Sequence, residues 1–228
     1  MKPLEQFEIN VASADNYLLM YRELRKFKEI GSRGRLDEEN KYLMWLPRAT
    51  IIASIAALDA YVHQVLYVRI PQELAGEQIE LSNELAELVG RVMPTKKNSE
   101  IRVAMSFVRS RDGAKLLSDN IREKILAYAS YQDPKKILKA FRIIRINDIF
   151  GEVAQRWSDK NRSRDDITKE LLNYSKRRNQ IAHESDLDNK HEPRAITPDY
   201  GKKCLGFVRE IVECMDRVAF PAQYQAQQ

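Results

Sequence analysis

The sequence predicts an all-α protein, a helical bundle, on three observations. Apolar residues recur at three- and four-residue steps through most of the chain, as one face of a helix requires. Only 8 Gly and 8 Pro interrupt 228 residues, too few for many short strands and tight turns. No stretch reads as a credible strand, and no internal repeat is visible. A content of 43% apolar and 31% charged residues can bury a real core and excludes general disorder. The length suits one domain, 1–228, with some elaboration.

The elements follow in order. Phe7, Val11, Ala14, Leu18, Tyr21 and Leu24 set a first helix over about 4–30, stopped at Gly31, with Gly31-Ser32-Arg33-Gly34 as a flexible joint. The stretch 37–69 contains Pro47, which should kink or divide it. Beyond that proline, Ile51, Ile52, Ile55, Leu58, Tyr61, Val62, Val65 and Leu66 form a wide apolar face, the expected core helix, which Pro71 should end. Residues 72–132 read as an inserted or additional region of shorter helices near 80–93, 97–110 and 113–131, punctuated by Pro94 and Gly113. Asp133 caps a helix with Pro134 at its first position, and a second beginning near Asn147 completes a core segment over 134–157. After a polar loop, Ser163 and Asp166 resemble a capping box that launches a helix over about 164–186. Residues 186–196 form a charged loop. Thr197-Pro198 opens the last helix, about 198–219, and the tail from Gln223 should fray.

Net charge is +5 with a pI near 9.1, mildly basic and compatible with a polyanionic partner. The cations cluster as Arg22, Arg25, Lys26 and Lys28, as Lys135, Lys136, Lys139, Arg142 and Arg145, and as Lys176, Arg177 and Arg178. Each cluster alone is what a solvated helix face looks like. No run approaches the roughly 20 apolar residues of a membrane span, and the first residues lack the apolar core of a secretory signal. Cys204 and Cys214 are ten apart on one predicted helix, about 15 Å along its axis, too far to bridge each other. Two unpaired thiols point to the cytoplasm.

Function is concentrated in Arg177-Arg178-Asn179-Gln180-Ile181-Ala182-His183-Glu184. Leu171, Tyr174, Arg178 and Ile181 share a face, so the Arg178 guanidinium lies close to the apolar side and must be paired or open onto a cleft. Asn179 and His183, four apart, stack on one side, where the amide could fix the imidazole tautomer. Arg178 and His183 are about 140° apart around the axis and about 7.5 Å along it. One helix brings both to the same phosphorus only if the arginine arm bends across; a second copy related by two-fold symmetry would otherwise pool two such pairs. Cation, amide and titratable base are the parts needed to break a phosphodiester without a metal.

Arg178-Asn179-Gln180-Ile181-Ala182-His183 matches the motif of HEPN domains, an arginine, usually a polar residue, then histidine near a helix end. The apolar helix from Ala53 to Tyr61, with Asp59 following Leu58, and Thr197-Pro198-Asp199-Tyr200 opening the last helix are similar to the RiboL-PSP-HEPN type. The resemblance implies a metal-independent endoribonuclease that acts as a homodimer with its motif helices facing across the axis. Such proteins serve in bacterial toxin–antitoxin and anti-phage systems and in RNA processing, so an antitoxin or regulatory partner is expected, with no cofactor, no metal and no membrane. Carried onto this chain, His183 acts as general base or acid and Arg178 stabilises the phosphorane-like transition state. Asn179 orients His183, Asp59 pairs with Arg178 if it faces the same cleft, and Lys176 and Arg177 hold flanking phosphates of single-stranded RNA. The products would be a 2′,3′-cyclic phosphate and a 5′-hydroxyl.

Other chemistries find less support. His183-Glu184 recurs as His191-Glu192, but a His-Glu-x-x-His zinc motif would need histidine at position 187, which is Leu. His63 reads as a core or interface histidine. There is no Gly-x-Ser-x-Gly elbow and no Gly-rich phosphate loop. Trp45 and Trp157 read as packing residues without the interleaved basic pattern of a stacking platform. Two further classes stay open: a catalytically inactive module that binds RNA or protein through the same surface, and a structural adaptor in which Arg178 anchors a dimer interface.

Overall fold

The computed structural model describes residues 1–31, 36–76, 80–93 and 112–225. Among these the chain is helical, with no β-strand and one isolated bridge, Leu187 to Pro193. The helices are α1 (Pro3–Phe27), α2 (Trp45–Ala75), α3 (Asn83–Val92), α4 (Gly113–Lys124), α5 (Pro134–Ile143), α6 (Ile149–Arg156), α7 (Arg164–His183), α8 (Pro198–Ala219) and α9 (Pro221–Gln225). The expected helix over 97–110, Pro94 and most of the 31–34 joint lie outside the described residues.

Two compact units emerge: Met1–Tyr61 with Gly151–Gln228, and Val62–Phe150. The second contains the region read as an elaboration and also α5, which the sequence reading placed in the core. In the first unit α1, the N-terminal half of α2, α7 and α8 enclose Phe7, Val11, Ile51, Ile55, Leu58, Leu171, Val208 and Ile211, all buried. Arg209 on α8 donates to Glu8 (3.1 Å) and to Asp15, fastening α8 to α1. Gly201 lets α8 approach α2 closely, since a Cβ there would meet the Pro47 carbonyl at 3.3 Å. In the second unit Leu66, Ile70, Leu85, Ile121, Ile137 and Phe141 are buried. The Ser82 hydroxyl both caps α3 and donates to the Ile143 carbonyl at 2.9 Å.

Several boundaries differ from expectation for local reasons. Helix α1 ends at Phe27, before Gly31, because Glu29 takes a left-handed conformation (φ 56°) and Ile30 N–H turns back to the Arg25 carbonyl. Pro47 neither kinks nor divides α2: it lies in the first turn, where its missing N–H costs nothing. The irregularity sits upstream, where Glu38–Met44 winds as a 3₁₀ helix capped by Asp37. Pro71 does not stop α2, which runs on to Ala75; the one backbone bond it forfeits falls near the helix end. By length and composition the helical span Glu38–Ala75 is long and apolar enough to cross a membrane, and half of its apolar window is buried within the protein, as in the core helix of a bundle. As far as Gln225 the expected tail is helical, and 226–228 lie outside the described residues. Pro221–Gln225 forms α9, and the Tyr224 hydroxyl donates to Asp216 at 2.7 Å.

Candidate active site at the end of helix α7

Helix α7 starts where the sequence places it. The Ser163 hydroxyl accepts from Asp166 N–H while the Asp166 carboxylate accepts from Ser163 N–H (3.1 Å), a reciprocal cap. The Ser163 bonds hold the Asp166 carboxyl below its usual range. Ile167, Leu171, Tyr174 and Ile181 bury one face, and the helix stops at His183. Beyond it the Gln180 carbonyl accepts from both Glu184 N–H and Asp186 N–H, each at 3.0 Å, with Ser185 and Asp186 at φ 52° and 56°. Serine and aspartate tolerate that region better than branched residues would.

The charged loop that follows is tied down. The Asp186 carboxylate is buried and receives two arginines: Arg177 of α7, Nη1 to Oδ1 at 2.5 Å and Nη2 to Oδ2 at 2.9 Å, and Arg48 of α2, Nε to Oδ2 at 2.5 Å. Arg48 also donates to the carbonyls of Met44 (2.9 Å) and Arg194 (2.7 Å), and Arg177 to that of Ala195 (3.1 Å). Burial pushes the Arg177 guanidinium down from its ordinary range, opposed by Asp186. The loop therefore hangs from α2 and α7 by one carboxylate. Arg177, expected to hold RNA phosphates, is committed to this clamp; its neighbour Lys176 is exposed.

Arg178 has a different environment. Its arm bends across the helix surface, so that Nη1 lies 3.1 Å from Asn179 Oδ1 and 3.4 Å from His183 Nε2. That is the bending the sequence reading named as its exception, and it brings cation and imidazole together within one chain. A guanidinium can only donate, so this contact fits a neutral imidazole with its proton on Nδ1 and a lone pair on Nε2. Asn179 accepts from Arg178, so the amide steadies the arginine, and the contact of the ring is with Arg178 rather than with the amide. Arg178 Nε is buried with no hydrogen-bond partner, and no carboxylate among the described residues pairs with this guanidinium. Asp59 is half-buried on α2. Asn179 and His183 are exposed.

The remaining sequence candidates fall elsewhere. His191 is exposed in the loop at φ 60°. His63 lies against Tyr131, ring centroids 4.8 Å apart, in the second unit. Among the described residues no group of three or more His, Cys, Asp or Glu is placed to hold a metal ion. Cys204 and Cys214 are both buried free thiols, and burial raises the Cys214 thiol to about 11 and Cys204 higher still. Trp157 packs as expected, 2% exposed against Phe207. Trp45 does not: it is 52% exposed. The sequence reading also missed Arg48 and Asp186. Their partnership spans more than a hundred residues and leaves no local trace, although a lone Arg next to Pro47 in an apolar helix was a weak sign of a buried ion.

The site is thus a half-buried arginine against an exposed histidine at a helix end of an all-α bundle. The chain belongs to the RiboL-PSP-HEPN family, whose model matches residues 16–219. HEPN domains are commonly ribonucleases or nucleotide-binding modules. Against curated proteins and against solved structures the chain finds no match.

Proposed function

We propose that the protein is a metal-independent endoribonuclease that cleaves single-stranded RNA at the Arg178–His183 site. The observation that carries the reading is the Arg178 guanidinium: positioned by Asn179, touching His183 Nε2, and lacking a carboxylate among the described residues. A half-buried cation without a counter-charge is costly unless an anion supplies one, and a phosphate is the anion that fits beside an imidazole base. In the reaction Arg178 exchanges its contact with Nε2 for the phosphate, the freed Nε2 lone pair takes the 2′-OH proton, the 2′-oxygen bonds to phosphorus, and the bond from phosphorus to the 5′-oxygen breaks. The leaving oxygen takes a proton from water or from the imidazolium of a second copy. Arg178 donates to the equatorial oxygens as their charge grows. The ends are a 2′,3′-cyclic phosphate and a 5′-hydroxyl.

Lys176 holds a flanking phosphate in this reading, Asp59 is the candidate acid for Arg178, and Arg177, committed to the clamp, plays no direct part. A homodimer through α7 adds a second Arg–His pair to the site, though one copy already assembles its own. We propose with it a toxin or anti-phage role with an antitoxin or regulatory partner, in the cytoplasm. The experiment is cleavage of single-stranded RNA by purified protein in excess EDTA. Wild type should cut; Arg178→Ala and His183→Ala should each lose at least about a hundredfold, the scale of one acid–base or oxyanion group. Undiminished cutting by both variants would remove the mechanism.

A further inference from the structure

Next to the clamp lies a groove of about 1540 Å³ within the first unit, bounded by α1, the 3₁₀ helix, the start of α2, the loop after α7 and the start of α8. Two features set its chemistry. Tyr42 and Trp45 line it, each 52% exposed, an unusual position for large aromatic rings in a chain with ample core to hold them. Each ring is accompanied by a cation: the Arg48 guanidinium lies 5.2 Å from the Trp45 ring and Lys28 Nζ 5.4 Å from that of Tyr42. The lining also carries six cationic side chains, Arg22, Arg25, Lys41, Arg48, Arg194 and Lys202, against three acidic ones. Of the acids, Asp15 is held by Arg209 and Asp199 by Lys203 (3.0 Å), which leaves Glu192; of the cations, Lys41 is paired with Glu38, Arg48 with Asp186 and Arg194 with Glu184. Arg22 and Lys202 are exposed and have no carboxylate partner among the described residues.

The groove begins close to the site along the chain. Ser185, two residues beyond His183, lines it, and so does Arg194, which is ion-paired to Glu184 at 3.1 Å. Arg48 reaches from under Trp45 to the same Asp186 carboxylate that holds Arg177. Aromatic faces backed by cations, with unpaired basic side chains at phosphate reach, are the parts of a single-strand stacking groove, in which bases stack without sequence readout. A protein partner would sooner want a continuous apolar floor with fewer charges.

We infer that this groove is the RNA-strand subsite beside the scissile phosphate, with Trp45 and Tyr42 stacking successive bases and Arg22 and Lys202 neutralising the backbone. The assignment rests on the ribonuclease reading for its ligand, and it adds residues far from the motif.

The test uses the full chain carrying His183→Ala, so that binding is read without cleavage, and a single-stranded RNA of about ten nucleotides, within the usual site size of such grooves. Trp45 and Trp157 are the two tryptophans, one exposed and one buried, so intrinsic fluorescence reports the groove directly. RNA should quench the Trp45 emission. Adding Trp45→Ala should weaken binding by about 5- to 150-fold, the range for one stacked base. Trp45→Phe should restore most of it, and an abasic oligonucleotide of equal length should bind the Trp45→Ala and Trp45 chains alike. Arg22→Ala with Lys202→Ala should weaken binding of RNA and abasic strand equally and flatten the salt dependence. RNA affinity indifferent to Trp45 overturns the groove. If, in addition, Trp45→Ala shifts the oligomeric state in light scattering, the face belongs to an interface between copies. The two readings part cleanly: EDTA-resistant cleavage by wild type with Trp45-independent binding sinks the groove alone. Trp45-dependent binding with no cleavage by wild type keeps the groove and sinks the nuclease. No RNA binding sinks both.

Discussion

Arg177 and Arg178 are consecutive on α7, and the fold treats them in opposite ways. Arg177 turns toward the loop, where it meets a buried carboxylate shared with Arg48 and donates to a backbone carbonyl. Arg178 turns toward the helix end, where it meets an amide and an imidazole and no carboxylate among the described residues. One cation is neutralised by the protein and holds the structure; the other is left for a ligand to neutralise. Charge alone does not mark a binding residue. The environment 100° further round the helix decides it.

The contrast can be broken first at the clamp. Asp186→Ala leaves buried Arg48 and half-buried Arg177 without their counter-charge, and should destabilise the fold by about 3–5 kcal/mol in chemical denaturation. A change under about 1 kcal/mol would mean the two arginines find other partners and the clamp is incidental. A sharper version exchanges each arginine for lysine, which keeps the charge and loses the fork. Arg178→Lys should lower RNA cleavage while leaving the denaturation midpoint in place. Arg177→Lys should lower the midpoint and leave cleavage by the folded protein near wild type. The reverse pattern would exchange the roles assigned to the two residues.

The helix that carries both residues depends on its cap. Ser163→Ala removes the reciprocal bond with Asp166 and should cost about 1 kcal/mol, measured by the same denaturation. The smallest effect belongs to a buried acid away from the site. Asp216 accepts from the Tyr61 hydroxyl at 3.1 Å and the Tyr224 hydroxyl at 2.7 Å, yet burial outweighs these bonds and raises its carboxyl above the ordinary range. Between the unfolded and folded values the native state holds the proton more tightly, so stability contributed by this group falls as pH rises through that window. Asp216→Asn should flatten that slope, read from denaturation midpoints across mildly acidic pH. An unchanged slope would assign it to other groups.

Much of this was legible in the sequence because it is local. The caps at Ser163, Asp133 and Thr197 and the apolar steps of α7 and α8 depend on neighbours within one turn. The Arg178–His183 motif is local too, and only the reach of the arginine arm was open. What failed involves distant partners or end effects. Asp186 reads as one more charge in a polar loop until Arg48 arrives from another helix. Trp45 reads as core because its exposure depends on what α1 and α8 leave uncovered. The two prolines in α2 read as breaks, though each sits near a helix end where its missing donor matters little.

The most direct test is the chemistry of the new RNA ends. Wild-type protein incubated with single-stranded RNA in EDTA should leave a 2′,3′-cyclic phosphate and a 5′-hydroxyl, and RNA with a 2′-deoxy residue at the cleaved position should resist. Ends bearing a 5′-phosphate, or equal cutting of the deoxy-substituted strand, would contradict an attack by the 2′-oxygen and with it the role assigned to Arg178 and His183.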